Sequence, residues 1–156
     1  GLTTFSPALP LIGGGHTRFQ PVYVGDVAAA VAKVLGDPAG AGRTYELGGP
    51  TVYSFRDLLA FILRETGRSR LLVPVPWFAA KILGVIGDIQ AAVPIIPPQI
   101  TSDQVENLRA DNVVSDGAAG LAELGIEPRA VEAIVPSYLY RYRKGGQYAA
   151  TPEGAI

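Results

Sequence analysis

Tyr140 and Lys144 lie four residues apart near the end of the chain, which is the spacing of a possible acid-base pair. A lysine held beside a phenol in a closed cleft lowers the pKa of that phenol, so the phenol can exchange a proton with a substrate. Both residues fall at the end of the last predicted helix, where this spacing arises by chance on a solvated surface. We therefore predict no catalytic residue in this chain.

Phosphate binding is the second chemistry that the residue types suggest, through the run Gly13–Gly15. A phosphate cradle needs helix N-terminal amides that point at the anion, usually within a Gly-x-Gly-x-x-Gly pattern. Here His16, Thr17 and Arg18 follow the glycines and break that spacing. Gln20 then opens a predicted strand rather than a helix. We interpret the glycines as a turn, with a phosphate-binding nest as the alternative.

The polar residues after the glycines are the candidate ligand contacts. Arg18 comes first, because a planar guanidinium binds phosphate through two parallel hydrogen bonds; a surface salt bridge is the alternative. His16 could line the same cleft or be an exposed turn residue, so His16 and Arg18 are the candidates for cofactor binding. Gln20 and Tyr23 join Arg18 as candidates for a substrate or lid site. Asp26 is interpreted as the N-cap of the next helix rather than as an acid or base.

The composition excludes several classes of site. The 156 residues include 13 basic and 14 acidic side chains, and this balance gives no reason to expect nucleic-acid binding. Without cysteine there is no disulfide framework, no thiolate catalysis and no cysteine-based zinc site. The single histidine excludes a multi-histidine metal site, so we predict no metal.

The elements that must position these residues are short and mixed. The chain opens with a turn-rich segment over residues 1–15, which could be the end of a helix. Hydrophobic patterns and turn residues predict strands at 20–24, 43–47 and 71–75, and an extended segment at 111–114. They predict helices at 27–35, 55–66, 77–93, 102–109, 116–124 and from 128 to about 143, with Ser54 and Thr101 as caps.

The most apolar part of the sequence is the predicted helix 77–93 and the proline-rich loop that follows it to residue 98. A transmembrane helix needs about 20 apolar residues. This one is shorter, carries Lys81 and Asp88, and is bounded by prolines, so we predict that it does not span a membrane. It is either core or a surface that docks to a partner or to the membrane interface.

The predicted fold class is α/β, with a few short strands and about five or six helices. That pattern has too few strands for a complete doubly wound sheet, so it indicates one lobe of a larger protein. We predict a lobe over residues 1–147 and a flexible tail over 148–156. The sequence contains no methionine and starts at Gly1, which we interpret as a piece of a longer chain.

The segment from Gly13 to Ala28 carries a family resemblance: a glycine turn, a basic residue, a strand-like Gln-Pro-Val-Tyr-Val and then Asp26-Val27-Ala28. It resembles the second lobe of extended and atypical short-chain dehydrogenases, the NAD-dependent epimerase/dehydratase superfamily. Residues 43–50 and 121–128 fit the same pattern, and the resemblance covers roughly residues 6–147. Within that superfamily the chain is most similar to the accessory NAD(P)H-binding subunits of respiratory complex I and their bacterial relatives.

The resemblance implies that the chain is the C-terminal lobe of a Rossmann-type protein whose Rossmann half is missing from this sequence. That half would bind NAD(P)H, and we expect no tight cofactor binding by this lobe alone. In the family, the catalytic tyrosine and lysine lie upstream of everything present here. The implied role is structural, in the assembly or stability of NADH:ubiquinone oxidoreductase. The alternative is the substrate-binding lobe of an NAD(P)-dependent epimerase, reductase or dehydratase.

The implied partners are the missing Rossmann half and the subunits of complex I. The implied location is peripheral at the inner membrane, on the cytoplasmic side in bacteria or the matrix side in mitochondria. Removal of the Rossmann half would expose apolar surface, so we also expect the isolated chain to self-associate.

Overall fold

The chain forms a mixed α/β structure, which confirms the predicted fold class. A computed structural model describes residues 8–37, 42–91 and 101–143. Its strands are β1 (Ala8–Ile12), β2 (Arg18–Phe19), β3 (Tyr53–Ser54) and β4 (Leu71–Val75). Its α-helices are α1 (Val24–Gly36), α2 (Phe55–Glu65), α3 (Trp77–Ala91), α4 (Ser102–Asn107) and α5 (Val131–Leu139). Short 3-10 segments lie at Gly13–Gly15 and Tyr140–Tyr142.

The strands of the described residues form two small sheets. β1 pairs in parallel with β4, from Ala8 opposite Leu71 to Ile12 opposite Val75. β2 pairs antiparallel with β3. The prediction of β4 is confirmed. The prediction of a turn-rich segment over residues 1–15 was wrong for residues 8–12, which form a strand in which Leu9, Leu11 and Ile12 are buried.

The predicted strand at 20–24 was also wrong. The paired strand is Arg18–Phe19, and α1 already begins at Val24. Pro21 has no N–H to donate to a ladder, which helps to end the strand early. Asp26 therefore lies in the first turn of α1 and not at its N-cap, which is Tyr23.

Three other local predictions were wrong. Residues 43–47 do not form a strand in the structure. Glu46 N donates one hydrogen bond to Ala119 O, and a single hydrogen bond does not make a strand ladder. The predicted helix 116–124 is a series of turns, with a φ of 76° at Gly117 and of 64° at Gly125, the residue that follows the range. These left-handed conformations interrupt a helix. The last helix begins at Val131 rather than at residue 128.

The capped helices formed as predicted. Ser54 accepts from Asp57 N, and the Asp57 carboxylate accepts from Ser54 N, which completes a capping box at α2. Thr101 and Gln104 make the same reciprocal pair at α4. These bonds satisfy amide groups that would otherwise be free at a helix start.

Two small apolar clusters pack the described elements together. One joins β1, α3 and α4 through Ile12, Ala80 and Val105. The other joins α1 to the turns at 121–126 through Ala30, Leu121 and Leu124. Residues 13–23 connect the two sheets to α1. They include the predicted site residues His16, Arg18, Gln20 and Tyr23.

Several predictions fall outside the described residues: the proline-rich loop at 94–98, Lys144, and the flexible tail at 148–156. No helix within residues 8–37, 42–91 and 101–143 is both long enough and apolar enough to cross a membrane.

Candidate functional site

The glycine run forms the predicted turn. Gly13, Gly14 and Gly15 all have positive φ, at 59°, 77° and 76°, which residues with a Cβ rarely adopt. A side chain at Gly13 would collide with the indole ring of Trp77. The run is thus a tight connection packed against α3. His16 follows it on the exposed surface.

Arg18 is held in an ion pair with Asp111. Its Nε lies 2.8 Å from Oδ2 of Asp111, and its backbone N donates to Oδ1 of the same carboxylate at 2.8 Å. The backbone hydrogen bond from Arg18, with the side-chain bond and the guanidinium charge, lowers the pKa of Asp111. The Arg18 side chain remains 61% exposed. The salt bridge that the sequence offered as the alternative is present.

Gln20 joins three chain segments. Its Nε2 donates to Gly49 O at 2.8 Å, and its Oε1 accepts from Val114 N at 3.0 Å. Its own backbone N donates to Asn112 O at 3.0 Å. Both ends of the amide are therefore used to fix neighbouring loops. Gln20 also lines a cleft of about 320 Å³ with Glu46 and residues 112–114.

Tyr23 lines a different groove, of about 250 Å³, between the start of α1 and the inner side of α5. The guanidinium of Arg129 lies over the Tyr23 ring, 4.7 Å from its centroid. A side-chain hydrogen bond with Tyr23 raises the pKa of Tyr138, which also lines the groove. The remaining lining is mostly aliphatic, including Ile134 and Val135.

Asp26 is the most deeply buried charged side chain among the described residues, at 2% exposure. Its Oδ2 accepts from Arg129 N at 2.8 Å, and its Oδ1 lies 3.2 Å from Arg129 Nε. A buried carboxylate needs such partners, since its desolvation is otherwise uncompensated. Asp26 therefore ties α1 to the segment that leads into α5.

Further polar contacts hold α5 and the turn after it. Tyr53 donates its hydroxyl to the Glu132 carboxylate, at 2.8 and 3.0 Å from the two oxygens. Burial and this hydrogen bond raise the pKa of Tyr53. Arg143 Nε donates to Glu65 O at 2.6 Å, and Arg68 donates through Nε and Nη2 to Tyr142 O.

The structure does not gather the four sequence-predicted residues around one cavity. Arg18 and Gln20 lie beside residues 111–114, Tyr23 lines the separate groove, and His16 is exposed at the glycine turn. Tyr140 lies in the 3-10 segment after α5, and its proposed partner Lys144 is outside the described residues.

Sequence reasoning missed two ion-pair partners: Asp111, which pairs with Arg18, and Arg129, which pairs with Asp26. They lie 93 and 103 positions from Arg18 and Asp26, and no local pattern reports a contact at that separation. Within the described ranges, no group of three or more His, Cys, Asp or Glu side chains could hold a metal ion.

Homologues of this chain over most of its length include subunits of NADH:ubiquinone oxidoreductase. The chain is 40% identical over 146 residues, 88% of its length, to the mitochondrial NADH dehydrogenase (ubiquinone) 1 alpha subcomplex subunit 9 of Arabidopsis thaliana. It is 32% identical over 137 residues to the mouse protein of the same name. It is 31% identical over 139 residues to the mitochondrial NADH-ubiquinone oxidoreductase 40 kDa subunit of Neurospora crassa. The predicted resemblance to a complex I subunit is confirmed.

The chain spans about a third of the length of these relatives: 36% of the Arabidopsis protein, 35% of the mouse protein and 36% of the Neurospora protein. No protein-family model matches it.

Proposed function

We propose that this chain is the C-terminal lobe of an accessory subunit of NADH:ubiquinone oxidoreductase and that its role is structural rather than catalytic. The observation that carries the proposal is the 40% identity to the Arabidopsis subunit over 88% of the chain. Similarity to subunits named for the same enzyme in mouse and Neurospora supports it. The superfamily to which we assign the subunit is that of the extended and atypical short-chain dehydrogenases.

The contacts of the candidate residues support a structural role. Arg18 pairs with Asp111, and Gln20 uses both ends of its amide on Gly49 and Val114. A residue that binds substrate must offer free donors or acceptors to it. Gln20 directs both ends of its amide at its own chain, and Arg18 directs its Nε at Asp111. We infer that they hold residues 18–20 against the loops at 49 and 111–114.

NAD(P)H binding is proposed for the rest of the protein. The residues present here do not fit nucleotide phosphates: the glycine turn is a three-residue 3-10 segment, and the Trp77 ring packs where a Cβ of Gly13 would lie. Such a turn offers no helix N-terminus to an anion. A Rossmann half would supply that site, and this lobe would cover the nucleotide from the substrate side.

The proposed partners are that Rossmann half and other subunits of complex I. The proposed location is peripheral at the inner membrane, on the matrix side in a mitochondrion or the cytoplasmic side in a bacterium. The mitochondrial names of the relatives support the first of these settings.

The test is to tag the protein encoded at the native locus, solubilise membranes gently, and identify its partners by native electrophoresis and mass spectrometry. We expect co-migration with NADH:ubiquinone oxidoreductase subunits. A tagged protein that is free of those subunits would contradict the proposal.

The same preparation distinguishes the alternative, an NAD(P)-dependent epimerase, reductase or dehydratase. That alternative requires turnover of a small carbonyl or sugar-nucleotide substrate that Arg18→Ala abolishes. Assembly into complex I with no turnover, and with Arg18→Ala acting only on stability, is the result expected here.

A further inference from the structure

A tight turn over residues 115–118 contains the only Asp-Gly pair of the sequence, Asp116 and Gly117. Ala118 N donates to Ser115 O at 3.1 Å, so the pair occupies the two central positions of the turn. Gly117 has a φ of 76°, which residues with a Cβ rarely adopt. Both Asp116 and Gly117 are exposed. The turn thus places an exposed carboxylate directly before an exposed glycine amide.

In the described part of the chain, the Asp116 carboxylate and the Gly117 N–H have no hydrogen-bond or ion-pair partner. A Cβ built on Gly117 would meet no described heavy atom within 4 Å, so the surroundings leave this position open. The amide nitrogen and the side-chain carboxyl carbon are close neighbours in the covalent structure. Neither a side chain on the second residue nor a competing contact keeps them apart.

Asp111 has the opposite arrangement five residues earlier, although it is exposed as well. Its carboxylate accepts hydrogen bonds from the backbone N and the Nε of Arg18, each at 2.8 Å. The amide that follows it, Asn112 N, donates to Arg18 O at 2.8 Å. Both groups that could react with each other are therefore held by Arg18. Exposure does not distinguish the two aspartates, but these hydrogen bonds do.

We propose that Asp116 and Gly117 form a site of spontaneous isoaspartate formation. The Gly117 nitrogen attacks Cγ of Asp116 in the carboxylic acid form. The N–Cγ bond forms, the N–H proton and the carboxyl hydroxyl leave as water, and a five-membered succinimide results. Water then opens the ring. Addition at Cγ restores aspartate, whereas addition at the main-chain carbonyl carbon breaks its bond to the Gly117 nitrogen and gives isoaspartate.

One water is released and one is consumed, so the reaction changes neither the mass nor the oxidation state of the chain. It requires no co-reactant other than water. The main chain of isoaspartate runs through the former side-chain carboxyl group, which makes it one methylene longer, and the former main-chain carboxyl group becomes a side group.

Glu46 holds the chain on both sides of the reacting pair. Its Oε2 accepts from Ser115 N at 2.7 Å, and its own N donates to Ala119 O at 2.9 Å. Isoaspartate lengthens the segment between these two contacts and disrupts the bond from Ala118 N that closes the turn. We therefore expect the Ser115 and Ala118 amides to exchange hydrogen faster in protein that has formed isoaspartate.

The test ages the purified full-length protein in neutral buffer for several weeks and digests it with trypsin. Cleavage after Arg109 and Arg129 releases residues 110–129 as one peptide, which contains both Asp111 and Asp116. Electron-transfer fragmentation in the mass spectrometer distinguishes isoaspartate from aspartate at each position. We expect about tenfold more isoaspartate at Asp116 than at Asp111, because Asp111 must first give up its hydrogen bonds to Arg18.

Asp116→Glu is the control variant. It keeps the charge of the turn, but a glutamate would have to close a six-membered ring, which is far slower. Labelling with a protein L-isoaspartate methyltransferase and a radioactive methyl donor measures isoaspartate independently of the peptide map. We expect aged native protein to gain label and to show faster exchange at the Ala118 amide, and aged Asp116→Glu to show neither change.

Three results would overturn the proposal: no isoaspartate at Asp116 in the aged protein, equal amounts at Asp111 and Asp116, or an equal gain of methyl label in aged Asp116→Glu. The remainder of the full-length protein is present in this test, so a turn that it covers gives the first of these results. None of them depends on association with complex I, so the proposal stands or fails separately from the proposed function.

Discussion

Helices α3 and α5 are attached to the rest of the chain by opposite means. α3 buries Ala80, Gly84 and Gly87 against β1 and α4, which brings backbones close together through apolar contact. α5 has no buried residue at all and contains Pro136, which removes one backbone donor. Its position depends on polar contacts around it, chiefly Asp26 with Arg129 and Tyr53 with Glu132.

This difference determines which substitutions destabilise the packing of each helix. Close packing of small residues fails when volume is added, because interiors are dense and cannot absorb extra atoms. A helix held by polar contacts tolerates changes of size on its surface but fails when a partner of a buried charge is removed. The four predictions below run from the largest expected effect to the smallest.

Ala80→Leu is expected to destabilise the chain most, by about 3 kcal/mol, because it forces three additional carbons into a fully buried position. Ala29→Leu is the matched control on the exposed side of α1, and it should change the free energy of unfolding by less than about 0.5 kcal/mol. Urea unfolding followed by circular dichroism measures both. Equal effects of the two substitutions would contradict the packing assigned to α3.

Arg129→Ala is expected to cost about 2 kcal/mol, because it leaves the Asp26 carboxylate buried with only a backbone N–H as partner and removes the contact with the Tyr23 ring. Arg109→Ala is the control near α3: Arg109 likewise lies over an aromatic ring, Trp77, and pairs with a carboxylate.

The control differs in burial, since the Glu106 side chain is 65% exposed against 3% for Asp26. An exposed pair contributes about 0.5 kcal/mol. If Arg109→Ala costs as much as Arg129→Ala in urea unfolding, the burial of Asp26 is not what makes the α5 contact strong.

Alkaline pH should weaken the attachment of α5 through two tyrosines, Tyr53 of β3 and Tyr138 of α5. The pKa values of Tyr53, by burial and the bond to Glu132, and of Tyr138, by the bond to Tyr23, are raised above the ordinary 10.0. The folded state then binds these protons more tightly than the unfolded state. The contribution to stability is complete below pH 10 and is lost as pH rises above it.

The measurement is the urea midpoint at pH 8 and at a pH just below 11, for the native chain and for Tyr53→Phe with Tyr138→Phe. The native chain should lose more stability between the two pH values than the double variant. An identical loss in both would show that Tyr53 and Tyr138 do not contribute to the alkaline transition.

The two helices also differ in how far the sequence predicts them. The boundaries of α2 and α4 follow from caps three residues apart, Ser54 with Asp57 and Thr101 with Gln104, and α3 follows from a continuous apolar run. Such signals are local. Each lies within one stretch of consecutive residues, so reasoning from the sequence found it.

The polar contacts have no local signal. Asp26 has the residue type and position of an N-cap, yet it is buried because Arg129, 103 residues later, pairs with it. A salt bridge was one of the two predictions for Arg18 and is present, but nothing near Arg18 in the sequence identifies Asp111 as its partner. The same cause explains the wrong strands at 20–24 and 43–47: hydrogen bonds to residues 112 and 119 replace ladders there.

Val85→Asn should have the smallest effect of the four. Val85 is 54% exposed on α3, so this substitution should change the free energy of unfolding by less than about 0.5 kcal/mol in urea unfolding. A large loss would mean that Val85 packs within its own chain. A negligible loss separates the two faces of α3, because the buried small residues Ala80, Gly84 and Gly87 then carry the packing of the helix.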